Sequence, residues 1–270
     1  MIYFLQDYSE SDALEIEIVE LISELKQNNC GHNYQIVNSS HFVNYDDSVH
    51  SRNWIRQNAI PVGSIEFVQA FLREFHAISH MNPIEIPECL RLPHILLRDY
   101  KIVPYDQIPR DGEYFVKDVS RLKNWTYLGS MRGLFSPEFS QDDINPNHLF
   151  QVSDTLPILS EYRVIVIEDR IYGIQFYDGD PTIMPTPKEI NKIKEMVTRY
   201  SIVKNRAMAY TMDVAVVRYD NKDGRDLALI EVHPFVAVGT YGCRGKFLPR
   251  AYKDGLRWYI EHNSPMEAYE

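Results

Sequence analysis

Asp213 in YTMDVAVVRY and Glu231 and His233 in ALIEVHPF are residues of types that could hold a divalent metal. Side chains two apart on a strand share a face, so Leu227, Leu229, Glu231 and His233 are expected together, with Thr211, Asp213, Ala215 and Val217 on one face of the partner strand. A hairpin loop centred near Lys222 sets Asp213 opposite Glu231, and a bulge would shift that register. Two carboxylates facing each other on a half-buried sheet repel unless a cation lies between them. With the imidazole at the strand end they form a candidate metal set, Asp213, Glu231 and His233, and its oxygen-rich character suits magnesium holding substrate phosphates. The competing reading is that both acids are solvated charges on the polar face of an ordinary hairpin.

Cations on the preceding strands bear on that choice. Lys117 in YFVKDV sits between Val116 and Val119, where a lysine is costly unless it meets an anion or reaches water. Arg163 in SEYRVIVIED interrupts an apolar run and shares its face with Glu161; an ion pair with Glu161, or with a carboxylate on a neighbouring strand, competes with phosphate binding. Fixed cations beside a carboxylate pair are the parts needed to bind and polarise a triphosphate. Lys123 and the stretch from Gly129 to Gly133 could add a mobile cover, although no GxxxxGK[ST] phosphate loop occurs.

Two groups of elements are expected to position these residues. MIYFLQ reads as a buried strand, the apolar stripe Leu14, Ile18, Leu21, Ile22, Leu25 as a helix, YQIV as a second strand, and SIEFVQAFLREFHAI as a helix with Ser64 as N-cap. HFVNYDDSVHSRNWIRQNAIPVGS between them reads as polar and irregular. This first module, α/β in type, ends near residue 95 in the proline-containing MNPIEIPECLRLPH. The second, 96–270, reads as mainly antiparallel. EYFVKDV is a strand, SRLKNWTYLGSMRGLFS a loop-rich passage, and EYRVIVIEDRIYGIQFYDGD two strands turning at Asp169-Arg170. TPKEINKIKEMVTRYSIV is a helix opened by Thr-Pro, YTMDVAVVRY and LALIEVH form the hairpin, and AYKDGLRWYIEH is a closing helix. The predicted fold class is α+β.

The 270 residues are 44% hydrophobic, enough for a sizeable core, and the net charge of -10 argues against general nucleic-acid binding and for a small-molecule or protein partner. Three cysteines without zinc-ligand spacing fit a reducing compartment. The opening MIYFL is too short for a signal peptide and no apolar run approaches a membrane span, so the expected location is cytoplasmic.

The blocks FVKDVSRLK, SEYRVIVIEDRIYGIQFYDGD, AYTMDVAVV and LALIEVHPFVAVGTYG, in that order, resemble the ATP-grasp fold, and within it the small ATP-grasp proteins of bacteria and phages. The resemblance covers about residues 96 to 260, with 1–95 similar to the smaller domain that precedes ATP-grasp modules. It implies ATP and Mg2+ as cofactors. Lys117 matches the lysine that reaches the phosphates, and Lys123 a second basic residue near the glycine loop. Phe150, Gln151, Val152, Ser153 and Asp154 fall on the hinge whose backbone reads adenine and ribose, with Glu161 nearby. Arg163 matches the arginine that stabilises the transferring phosphoryl group, and Asp213 and Glu231 match the magnesium ligands. His233 departs from the family, which usually has asparagine there; its imidazole would ligate the metal, bind phosphate as a cation, or orient substrate. The implied activity is ATP-dependent ligation of a carboxylate to an amine through an acyl phosphate, with Lys117 and Arg163 catalytic. A kinase on the same scaffold and a non-catalytic nucleotide- or protein-binding module are the alternatives.

Three further features compete. His76 and His80 stand four apart on a helix, a spacing that permits zinc, but no partner ligand is evident. Cys243 is read as pocket lining or packing in preference to a nucleophile. The Gly239-to-Gly245 loop with Arg244 is a candidate binding loop for the second substrate.

Overall fold

The computed structural model describes residues 1–8, 16–27, 33–43, 50–82, 85–120, 125–135, 144–219 and 224–263. The apolar IYFLQ run forms β1 (Ile2–Gln6), the centre of a three-stranded parallel sheet between β2 (Asn33–Val37) and β3 (Ala59–Val62). Around it lie α1 (Ile16–Gln27), α2 (Ser40–Val43), α3 (Arg52–Asn58) and α4 (Ile65–His76). The α4 helix starts where the sequence predicts: the Ser64 side chain accepts a hydrogen bond from the Phe67 N–H, and the helix buries Phe67, Val68, Phe71, Leu72 and Phe75. The passage expected to be irregular contains α3 and β3. Seven helical and four extended residues are too few to develop a period, and Pro61 disguises β3, which tolerates it as an edge strand.

Beyond a 3-10 turn and the short α5 (Pro93–Leu96), the chain enters two antiparallel four-stranded sheets. The smaller contains β4 (Tyr100–Pro104), β5 (Glu113–Asp118), β6 (Thr126–Ser130) and β7 (Leu149–Asp154), in the order β4-β7-β5-β6. Part of the passage read as loop-rich is therefore β6, an edge strand paired with β5, followed by the single turn of α6 (Met131–Leu134). The larger contains β8 (Ile158–Ile167), β9 (Arg170–Gly179), β10 (Ala209–Tyr219) and β11 (Gly224–Pro234), in the order β11-β10-β8-β9. The β8–β9 turn residues are Glu168 and Asp169, one position before the expected pair. Both have positive φ (48° and 61°), as a two-residue hairpin turn requires. Between β9 and β10 runs α7 (Pro187–Ser201), with Thr186 and Glu189 in a reciprocal capping box and Pro187 in the first turn. The closing helix is α8 (Leu248–Asn263). Among the described residues no helix is long and apolar enough to cross a membrane.

The larger sheet has two different faces. On one, Tyr162, Val164, Val166, Met212, Val214, Val216, Leu227 and Leu229 pack against Ile193, Met196, Val197 and Tyr200 of α7. On the other, Ile165, Ile167, Ala209 and Phe235 join the core of the N-terminal sheet and α8. Asp213 does pair with Glu231, but the register then shifts and Val214 pairs with Leu229, leaving Ile230 as an extra residue. That bulge corrects the expectation that Leu227, Leu229, Glu231 and His233 share a face. Leu227, Leu229 and Val232 are in the α7 core, whereas Glu231 sits beside Asp213 on the opposite face. One inserted residue reverses the alternation downstream of it.

Candidate active site

Three strands of the larger sheet place Arg163, Asp213 and Glu231 in one row, since Asp213 registers with Arg163 on β8 and with Glu231 on β11. The Arg163 guanidinium binds Asp213 through two parallel hydrogen bonds, Nε to Oδ1 at 2.8 Å and Nη2 to Oδ2 at 2.6 Å. Its Nη1 donates to the Gly239 carbonyl at 3.2 Å. Of the partners expected for Arg163, the neighbouring-strand carboxylate is the one found. Lys117 reaches across from β5 of the smaller sheet, and its Nζ donates to Glu231 Oε2 at 2.9 Å. The four charged groups thus form a single row that links the two sheets, with the two acids side by side between the two cations.

Burial and neighbouring charge divide the two acids. Burial pushes the Asp213 carboxyl up to about 6, against the pull of its Arg163 partner. Glu231 is also desolvated, but Lys117, His233 and Arg163 hold it down to about 2. Arg163 gives up hydration on burial, yet its pairing with Asp213 keeps it firmly cationic. Its guanidinium lies 5.1 Å from the Tyr241 ring centre and 5.7 Å from that of Tyr177, and the two rings stack 5.1 Å apart. The Tyr177 hydroxyl donates to Glu161 Oε2 at 2.5 Å, so Glu161 is held by a tyrosine.

His233 registers with Thr211 across the hairpin, and both its Nδ1 and the Thr211 hydroxyl are buried without a hydrogen-bond partner. Burial lowers the His233 pKa despite the nearby Glu231, which opposes the expected role as a phosphate-binding cation. Among the described residues no group of three His, Cys, Asp or Glu side chains has the arrangement of a metal site. The carboxylate pair alone supplies hard oxygen donors of the kind magnesium takes.

The segment expected as the adenine hinge forms β7. β7 lies between β4 and β5 and registers with both over 150–153, so its backbone groups serve the sheet. Gln151, paired with Lys117, and Ser153 share the Lys117 face, while Phe150 and Val152 fill the core of the smaller sheet. Asp154 accepts a hydrogen bond from the Asp99 N–H at 3.0 Å. Lys123 lies outside the described residues. Gly129 and Gly133 belong to β6 and α6, which corrects their expected place in a loop.

Cys243 packs in the core beside Gly173, and burial raises its pKa, in keeping with a packing role. His76 is buried with both ring nitrogens unpaired, and His80 is exposed. The Gly239-to-Gly245 loop docks on α1. Glu17 accepts from the Thr240 N–H at 3.1 Å, and Glu20 accepts from the Thr240 hydroxyl at 3.1 Å and from Arg244 Nε at 3.0 Å. A cavity of about 370 Å3 lies against this loop, lined by Glu17, Gly63, Ser64, Glu66, Gly239 and Tyr241. Sequence reasoning missed Tyr177, Tyr241 and the Gly239 carbonyl. The available signal was Tyr177 standing two residues beyond Gln175, the residue opposite Arg163.

A family model described as ATP-grasp domain, R-two-K clade family 2, matches residues 96–248. D-alanine–D-alanine ligase from Bacillus anthracis has a similar fold: its ATP complex shows a TM-score of 0.52 and 11% identity over 97% of this chain and 98% of that one. Another structure of the same ligase gives a TM-score of 0.53 with the same identity and coverage. A RimK domain ATP-grasp protein from Sphaerobacter thermophilus DSM 20745 aligns at 0.48 and 14% identity, over 97% of this chain and 99% of that one. The comparison with curated proteins gives no match. With more than half of its length matched by the family model, the chain belongs to this ATP-grasp domain family.

Proposed function

We propose that this protein is an ATP- and Mg2+-dependent ligase that joins a carboxylate to an amine through an acyl phosphate. The observation that carries the reading is the row of charges between the two sheets, in which Lys117 and Arg163 flank the adjacent acids Glu231 and Asp213. Without nucleotide the two cations neutralise the two acids. With nucleotide bound, Lys117 and Arg163 would face phosphate oxygens from their present positions, and Glu231 and Asp213 would hold magnesium. Held by Glu231 and Asp213, magnesium would supply the positive charge that screens the phosphates. Arg163 is suited to a transferring phosphoryl group because its planar fork stays cationic and the two tyrosines restrict its rotation. Gln151 and Ser153 share the Lys117 face, which supports them as nucleotide-binding side chains.

A substrate carboxylate oxygen then attacks the γ-phosphorus, the bond to ADP breaks, and an acyl phosphate forms. The amine nitrogen attacks the acyl carbon, loses its proton, and phosphate departs. The protein positions the reactants and screens charge and forms no covalent bond of its own. The cavity between α1, α4 and the Gly239-to-Gly245 loop is the place for the second substrate, beside the carbonyl that Arg163 holds.

Wild-type protein is expected to release phosphate from ATP and Mg2+ only with both an acid and an amine present. Glu231→Gln should lower that turnover at least about 100-fold with an unchanged circular-dichroism spectrum. Wild-type turnover in the variant would refute the metal assignment, and a stable phosphorylated product formed without amine would identify a kinase.

A further inference from the structure

Glu231 faces Asp213 only because β11 is bulged, and a bulge needs a cause. β11 is the outermost strand of its sheet, so its outward carbonyls have no strand partner. Arg98, between α5 and β4, supplies one. Its Nη1 donates to the Leu229 carbonyl at 2.7 Å and its Nη2 to the Ile230 carbonyl at 3.2 Å, with a further bond from Nη1 to the Leu96 carbonyl at 3.2 Å. In a regular strand consecutive carbonyls point to opposite sides, so one planar guanidinium takes two in succession only where the alternation fails. Leu229 and Ile230 are the residues where it fails.

The geometry points to Arg98 as a positioning residue: its two-carbonyl clamp holds the bulge that turns Glu231 onto the Asp213 and Lys117 side of the sheet. An unbulged β11 would carry residue 231 on the same face as Leu227 and Leu229, into the α7 core, where a carboxylate has no place. The guanidinium spends its donors on backbone oxygens, and burial lowers its pKa to about 10, with Tyr100 and Asp154 opposing the shift. A lysine could reach one carbonyl but not span both with a fixed fork. This role depends on the reading of Asp213 and Glu231 as the metal pair; the clamp itself does not.

The test is a double-mutant cycle with Arg98→Met and Glu231→Gln, reading the Mg2+ concentration that half-saturates ATP binding in calorimetry. Arg98→Met should raise it about 10-fold or more, and Arg98→Lys should recover part of the loss. In the Glu231→Gln background Arg98→Met should add less than about twofold, because the carboxylate it serves is gone. An equal factor in both backgrounds, or no change in either, overturns the positioning role. Amide hydrogen exchange supplies an arm that needs no nucleotide. Arg98→Met should accelerate exchange over 228–232 and leave β8 and β9 as in wild type, and unchanged exchange refutes the clamp. A wild-type protein that fails to bind ATP with Mg2+ refutes the ligase reading and with it the metal-positioning role, while the exchange result still decides whether Arg98 holds the bulge.

Discussion

His76 ends α4 buried, its ring 5.7 Å from that of Phe71, with neither ring nitrogen hydrogen-bonded, and burial, assisted by Arg56, lowers its pKa to about 4. An unfolded chain takes up that proton near pH 6.5, so between pH 6.5 and 4 the unfolded state binds more protons than the native one. The contribution is therefore fully present above pH 6.5 and is lost as pH falls toward 4, by roughly 1–2 kcal/mol after allowance for solvent screening. Comparing denaturation midpoints of wild type and His76→Leu at pH 7.5 and pH 5 isolates it. The wild type should lose more stability than the variant, and parallel pH profiles would show that the ring titrates as freely folded as unfolded. The contrast with the candidate-site residues explains what was legible at this scale. Lys117, Arg163 and Asp213 each interrupt an apolar strand, and Glu231 and His233 follow one, so position alone marked them. The protonation of His233, and the Tyr177 and Tyr241 rings over Arg163, depend on what packs there from distant parts of the chain.

At the scale of elements, α7 was readable because its cap, first-turn proline and apolar stripe all lie within fifteen residues. The β11 bulge was not. The change from Leu229 to Glu231 at the same alternating position is the only mark of it in the sequence, and an ordinary strand end reads the same way. The register depends on Arg98, more than a hundred positions away. The α8 helix contains a similar long-range constraint at Gly255. A Cβ there would lie 2.3 Å from the Phe235 carbonyl oxygen and 2.8 Å from the Phe235 Cα, so helix and chain meet backbone to backbone just beyond His233. In an unobstructed helix Gly→Ala gains about 1 kcal/mol. Here Gly255→Ala should cost about 1–3 kcal/mol, because neither backbone can yield without displacing the end of β11. Urea unfolding gives the sign directly, and a stabilised variant would mean that α8 and Phe235 are not in close approach.

Across the whole molecule, the N-terminal module reaches Arg163 through one loop. Glu17 and Glu20 on α1 hold Thr240, Glu20 also binds Arg244, and the adjacent Gly239 carbonyl accepts from Arg163. Gly239 and Thr240 are bracketed by Ala237 and Tyr241, both at positive φ (51° and 48°), a conformation costly outside glycine and kept only where surrounding contacts enforce it. Glu20 and Thr240 are themselves buried, so Glu20→Ala leaves a hydroxyl without its acceptor, at a cost of about 1–3 kcal/mol. Lys117, Asp213 and Glu231 make their bonds with no help from α1, so ATP affinity with Mg2+ should stay within about twofold of wild type. The loop should loosen instead, and the Cys243 amide, which donates to the Thr240 carbonyl at 3.0 Å, reports on it. Faster exchange at that amide, with β8 and β10 unaltered, would mean that α1 sets the shape of the second-substrate cavity while the two sheets set the nucleotide site. Unaltered exchange at Cys243 would instead leave the Arg163 contact as what holds the loop, and the N-terminal module would be a support for α8 rather than a wall of the site.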